Sequence, residues 1–109
     1  MSQPIPEQFP MSLADYLLSH LAQECCEVAI RCTKAQMFGL SEVQPEQSYT
    51  NAERVLHELA DVVAILTVMQ EKGILSELTQ AEKAQRVDAK REKALNFRDY
   101  SRELERLVR

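Results

Sequence analysis

Four carboxylates in two helix-forming segments are the residues whose types and spacing speak of chemistry. In "HLAQECCEVAIRCTK" Glu24 and Glu27 stand three residues apart, and in "HELADVVAILTVM" Glu58 and Asp61 repeat the interval. On a helix that spacing places both members of a pair on one face. Two such pairs on packed helices would converge and repel one another unless something polyvalent sat between them. An all-oxygen set of this kind is what a hard cation such as Mg²⁺ or Mn²⁺ prefers. The bland alternative is a salt-bridged helix–helix interface, with Arg31, Lys34 and Arg54 on the same sides as the acids.

The elements that must position these pairs are marked by capping signatures. Ser12 with Asp15 opens a first helix that runs to about Phe38 and stops at Gly39. Thr50 with Glu53 opens a second near Asn51 that continues to Lys72 and ends at Gly73; Thr79 with Glu82 opens a third that reaches about Asn96. The remainder, "FRDYSRELERLVR", keeps helical spacing and is either a continuation or a short fourth helix. Residues 1–11, with three prolines, predict an extended arm, residues 12–109 a single helical domain, and residues 39–50 a polar connection long enough to be a functional loop or lid.

On the first helix Leu17, Leu21, Cys25, Val28, Cys32 and Ala35 form an apolar arc, and His20, Glu24, Glu27, Arg31 and Lys34 run beside it. On the second, only Asp61 and Thr67 are polar between Leu59 and Met69, which predicts burial over most of its circumference. Asp61 is then expected away from bulk water, where an ionised carboxylate needs a partner or a metal.

Composition narrows the class. A chain of 109 residues with 45% hydrophobic content, two glycines and no tryptophan suits an all-α fold of one domain, at a size where a homo-oligomer often completes the core. Residues 1–11 show no basic stretch followed by an apolar one, so a secretory signal is not expected there, and no apolar run reaches membrane-spanning length. Three cysteines without a signal predict reduced thiols and a cytoplasmic setting. The net charge of −4 speaks against a nucleic-acid binder. It is unevenly spread: residues 1–77 carry 11 acids and 4 bases, residues 78–109 carry 6 acids and 9 bases. An acidic front and a basic tail would divide the holding of a metal and of a phosphate chain. Lys83, Arg86, Lys90 and Lys93 fall on one stripe of the third helix, and Lys34 shares a face with Glu27, so these five are the candidate phosphate contacts, a solvated face being the alternative for the third helix.

Cys25 and Cys32 read as small core residues, with no Cys-x-x-Cys and only two histidines to support a zinc site. Phe38, Phe97 and Tyr100 read as packing residues, with stacking on a base as the alternative.

Gln23-Glu24-x-x-Glu27 followed by Glu58-x-x-Asp61 resembles the EExxE…ExxD pattern of the all-α nucleoside triphosphate pyrophosphohydrolase superfamily, which includes MazG-like proteins, dimeric dUTPases and phosphoribosyl-ATP pyrophosphatases. The wording from about Leu17 to Ile74 is similar to small, single-domain MazG-like proteins of bacteria and phages, and "KREKALNFRDYSREL" looks like the C-terminal part of the same subgroup. The departure is Gln23, where the pattern has an acid. The resemblance implies that Glu24, Glu27, Glu58 and Asp61 hold Mg²⁺, with Mn²⁺ as a substitute; since a metal-bound water is easier to deprotonate, one of the glutamates, Glu24 by preference, is expected to take its proton. It implies a homodimer or homotetramer that cleaves a nucleoside triphosphate to a monophosphate and pyrophosphate, for nucleotide-pool cleansing. A dUTPase-like or phosphoribosyl-ATP-like substrate stays open, and so does a non-catalytic helical interaction module.

Overall fold

The structure is a computed structural model that describes residues 10–108, so nearly all of the expected N-terminal arm lies outside the described residues. Three helices follow one another, α1 (Leu13–Phe38), α2 (Asn51–Glu71) and α3 (Gln80–Glu103), and the described residues contain no strand. The chain is all-α, as its composition and spacing predict. It divides into two compact units, Met1–Leu75 with α1 and α2, and Ser76–Arg109 with α3.

The helices begin where local chemistry dictates. The Ser12 hydroxyl accepts from the Asp15 backbone N–H at 3.1 Å, occupying one of the donors that a helix start leaves unpaired. At α2 and α3 the box is reciprocal: Thr50 and Glu53, and Thr79 and Glu82, each bond the other's backbone N–H at 3.1–3.2 Å.

They also end by identifiable means. Gly39 closes α1 at φ 95°, ψ 150°, a conformation closed to side chains with a Cβ, and donates to Ala35 O at 2.8 Å. After α2, Gly73 at φ 72° donates to Gln70 O and Ile74 to Met69 O, the paired bonds of a Schellman turn. The same pattern closes α3 through Glu105, a non-glycine residue at φ 59°.

α1 packs against α2 in the first unit. The seam buries Leu17 and Ala35 of the predicted apolar arc together with Met69, which is fully enclosed. Asn51 is the buried polar residue, and its amide Nδ2 donates to Gly39 O at 2.8 Å and to Glu42 Oε1 at 3.4 Å. Backbone bonds from Asn51 N to Glu42 O and from Ala52 N to Leu40 O add to this tie. The connection between α1 and α2 is thus folded back and anchored at both ends, which is not how a free lid is built.

Two expectations are corrected. Cys25 and Cys32 are exposed, although they lie on the apolar arc. α2 is not enclosed by its own chain: Leu56 is 64% and Val63 59% exposed. Of the two alternatives for the segment after Asn96, the continuation is what forms: α3 runs unbroken through Phe97 and Tyr100 to Glu103, since nothing in "NFRDYSRE" interrupts a helix. Phe38, Phe97 and Tyr100 are all exposed in the chain, with Lys34 Nζ 5.8 Å from the Phe38 ring centre and Lys93 Nζ 6.0 Å from that of Phe97.

Candidate metal centre

α1 and α2 bring Glu24, Glu58 and Asp61 together. Each offers one carboxylate oxygen, and these oxygens all lie within 4.8 Å of one another. The reason is geometric: Glu58 and Asp61 are one turn apart on α2, and Glu24 faces them across the seam from α1. Around an octahedral Mg²⁺ with bonds of roughly 2.1 Å, neighbouring oxygens are about 3 Å apart and opposite ones about 4.2 Å. The three side chains therefore suit a small divalent cation after a modest inward rotation, and their donors are the hard oxygens such an ion takes.

Glu27 is not within that triad, but its charge reaches it. The Glu58 carboxyl is held above the usual carboxylate range, first by partial loss of hydration, then by the negative charges of Asp61, Glu24 and Glu27, with Arg31 acting in the opposite sense. The four carboxylates thus share one electrostatic neighbourhood. Asp61 corrects the burial argument: it is exposed, while Glu24 and Glu58 are half-buried. Its convergence with two other acids, rather than its enclosure, is what singles it out.

Basic residues do not pair with this cluster. Among the described residues the single ion pair within 4.0 Å joins Arg98 to Asp99 on α3, so neither Arg31 nor Arg54 forms the interface salt bridge that sequence left open. Arg31 stands one turn beyond Glu27 on the same stripe. Its Nε is shielded from water and has no hydrogen-bond acceptor, an unmet donor that costs on the order of 1–3 kcal/mol in a protein interior. Spacing did not mark Arg31 as more than a candidate partner for the acids, and its missing acceptor has no sequence signal.

Of the other candidate residues, Lys34 is on α1, on the carboxylate side, with its ammonium near Phe38. His20 packs edge-on against Tyr16, with ring centres 4.7 Å apart. Lys83, Arg86, Lys90 and Lys93 are exposed on α3, in the second unit.

A cavity of about 470 Å³ beside the α1–α2 seam is lined by Cys32, Ala35, Gln36, Leu40, Ala52, Val55 and Leu56. At about 100° per residue, Ala52, Val55 and Leu56 lie well over a quarter turn from Asp61, so α2 has a charged flank and a greasy one, whereas on α1 Ala35 shares the side of Glu24 three turns further along. Compared with models of known families, with curated proteins and with solved structures, the chain matches none.

Proposed function

We propose that this chain is a Mg²⁺-dependent nucleoside triphosphate pyrophosphohydrolase of the MazG-like kind, working as a homo-oligomer. The observation that carries the reading is the convergence of three carboxylate oxygens within 4.8 Å from two different helices. Four like charges in one neighbourhood destabilise an empty site, and a divalent cation relieves them.

In this reading Glu24, Glu58 and Asp61 hold the ion, whose chemistry is to neutralise charge on phosphate oxygens and to acidify bound water. Glu27 stands off the triad yet close enough to act on Glu58, so it is the carboxylate free to take a proton from the attacking water. That replaces Glu24, which the triad engages. Water adds at the α-phosphorus, the bond from that phosphorus to the α–β bridging oxygen breaks, and pyrophosphate leaves. Lys34, on the same helix as Glu24 and Glu27, is the cation offered to the departing phosphates.

The oligomer follows from the greasy flank. Leu56, Leu59 and Val63 are exposed on α2 and Leu18 on α1, while the unit buries few apolar side chains of its own. A second copy of the chain covering that flank supplies the core that one copy lacks.

The experiment is pyrophosphate release from standard and modified nucleoside triphosphates with Mg²⁺ or Mn²⁺, using the parent, Glu58→Gln and Asp61→Asn. Release by the parent that both substitutions abolish supports the reading and names the substrate. A folded parent that binds the ions but releases nothing removes the catalytic part of it.

A further inference from the structure

We propose that a second copy of the chain packs on the uncharged flank of the α1–α2 pair in antiparallel register, α1 on α1 and α2 on α2 across one two-fold axis, with Leu18 of each copy seated in the groove at the loop end of the other. The inference rests on the homo-oligomer reading and adds to it the surface, the register and the residues that meet.

Two matching stripes define the flank. On α1 Leu18, Ala22, Cys25, Ala29, Cys32 and Gln36 follow one another at alternating steps of four and three, and all six are exposed. On α2 Ala52, Leu56, Leu59, Val63, Leu66 and Gln70 repeat the same steps, with Leu56, Leu59 and Val63 exposed. That alternation is the seam along which helices pack lengthwise. A face built for water carries charge, and these do not. At about 100° per residue Glu24, Glu27, Arg31 and Lys34 all fall more than a quarter turn from the α1 stripe, as Glu53, Arg54, Glu58 and Asp61 do from the α2 stripe.

The stripes belong to one surface. Cys32 and Gln36 of the first and Ala52 and Leu56 of the second line the same groove of about 470 Å³, together with Leu40. Five turns make the flank about 27 Å long, and two helices make it about 20 Å wide, so it covers roughly 500 Å² in plan. Its accessible area is larger, on the scale of the about 800 Å² that each partner gives to a standard interface.

Symmetry selects the occupant. Turned end for end, the α1 stripe sets Cys25 against Ala29 and Leu18 against Gln36, and the α2 stripe sets Leu59 against Val63. A two-fold contact asks for such a self-complementary surface. The middles of the stripes also lie level, because Glu24, next to Cys25, meets Asp61, between Leu59 and Val63, in the carboxylate triad. One axis therefore serves both. Leu18 is the bulky apolar member of its stripe, and its counterpart Gln36 lines the groove, so the large side chain of one copy meets the hollow of the other. Ala22, Cys25, Ala29 and Cys32 are small enough to let the two α1 backbones approach closely.

Cysteines report the register, and Cys25, Cys26 and Cys32 are exposed, so their replacement by alanine leaves the packing within one copy intact. A copy whose sole cysteine is Cys25 is mixed with a heavier, tagged copy whose sole cysteine comes from Ala29→Cys, and diamide is added as the oxidant. A disulfide-linked mixed dimer is expected at least about tenfold faster than when the tagged copy carries Val63→Cys instead, since bridging needs Cα atoms within about 7 Å. The reverse preference puts α1 on α2 of the second copy and overturns the proposal. A parent that is dimeric in sedimentation velocity, with no bridge from either mixture, places the interface on another face; it overturns the proposal and leaves the homo-oligomer reading standing. A parent that is monomeric at every concentration overturns both.

Discussion

The side-chain amide of Asn51 donates to the carbonyl oxygen of Gly39 at 2.8 Å, so the first residue of α2 grips the cap of α1. Asn51 is 2% exposed, and its partners are a backbone carbonyl and the Glu42 carboxylate, both acceptors. Asn51→Ala strands the Gly39 carbonyl and is expected to cost about 1–3 kcal/mol in urea unfolding. Asn51→Asp is expected to cost more, because it sets a third acceptor against two. An unchanged unfolding midpoint in both would show that the tie contributes nothing.

Glu58 predicts a stability gain on losing its charge. Its carboxyl is raised in the fold, so the folded chain holds the proton more tightly than the unfolded one. Its ionised form therefore weighs against folding above the folded value, and that penalty vanishes as pH falls below the unfolded value near about 4.3. Without metal, Glu58→Gln is expected to melt higher than the parent at pH 7, with the difference closing toward pH 4. With millimolar Mg²⁺ the order reverses, since only the parent gains from binding. Melting curves in the two buffers decide it.

Glu53 has the opposite sign. Its carboxyl is lowered first by accepting from the Thr50 backbone N–H and then by its bond to the Thr50 side chain. The stability it lends is present above the unfolded value near about 4.3 and is lost as pH falls through the folded one. Glu53→Gln keeps the acceptor and loses the titration, so its unfolding free energy should vary less between pH 5 and pH 3 than the parent's. Thr50→Ala, which deletes the cap, is expected to cost about 0.5–2 kcal/mol at neutral pH.

The greasy flank is tested by charge. Val63 is 59% exposed, so Val63→Glu has little to disturb within one chain. Placed in a dry interface it leaves a buried, unpaired carboxylate that costs several kcal/mol, enough to weaken association by roughly a hundredfold or more. Sedimentation velocity should show the parent as an oligomer and the variant as a monomer of unchanged helicity by circular dichroism. A parent that stays monomeric at every concentration would end the proposal that a second copy covers this flank.

The helices were legible in sequence because their ends are local chemistry. Ser12 with Asp15, Thr50 with Glu53, and the stops at Gly39 and Gly73 need no knowledge of the rest of the chain. The convergence of Glu24 with Glu58 and Asp61 was legible too, through the repeated interval of three. What periodicity does not tell is who does the covering. An apolar α2 predicted an enclosed Asp61, yet a pattern records that a face is greasy and not whether its own chain or another lies on it. By spacing alone Glu27 is equal to the other three, because spacing gives a side of a helix and not the distance across a seam. In sequence Asn51 marks only a helix start, since a polar residue's burial depends on the returning connection. The unmet donor of Arg31 arises from packing alone.

The anchored connection has a consequence for which changes in length the chain tolerates. Gly39, Glu42 and Asn51 are pinned to one another, so residues added at the turn around Pro45, where Gln47 N bonds Gln44 O, would bulge outward and leave both helices where they are. A single residue inserted between Asn51 and Glu58 would instead swing Glu58 and Asp61 by about 100° about the axis of α2, away from Glu24. The seven-residue interval from the anchor Asn51 to Glu58 is thus a gauge length, and the chain can drift in size everywhere along this hairpin's tip sooner than it can there.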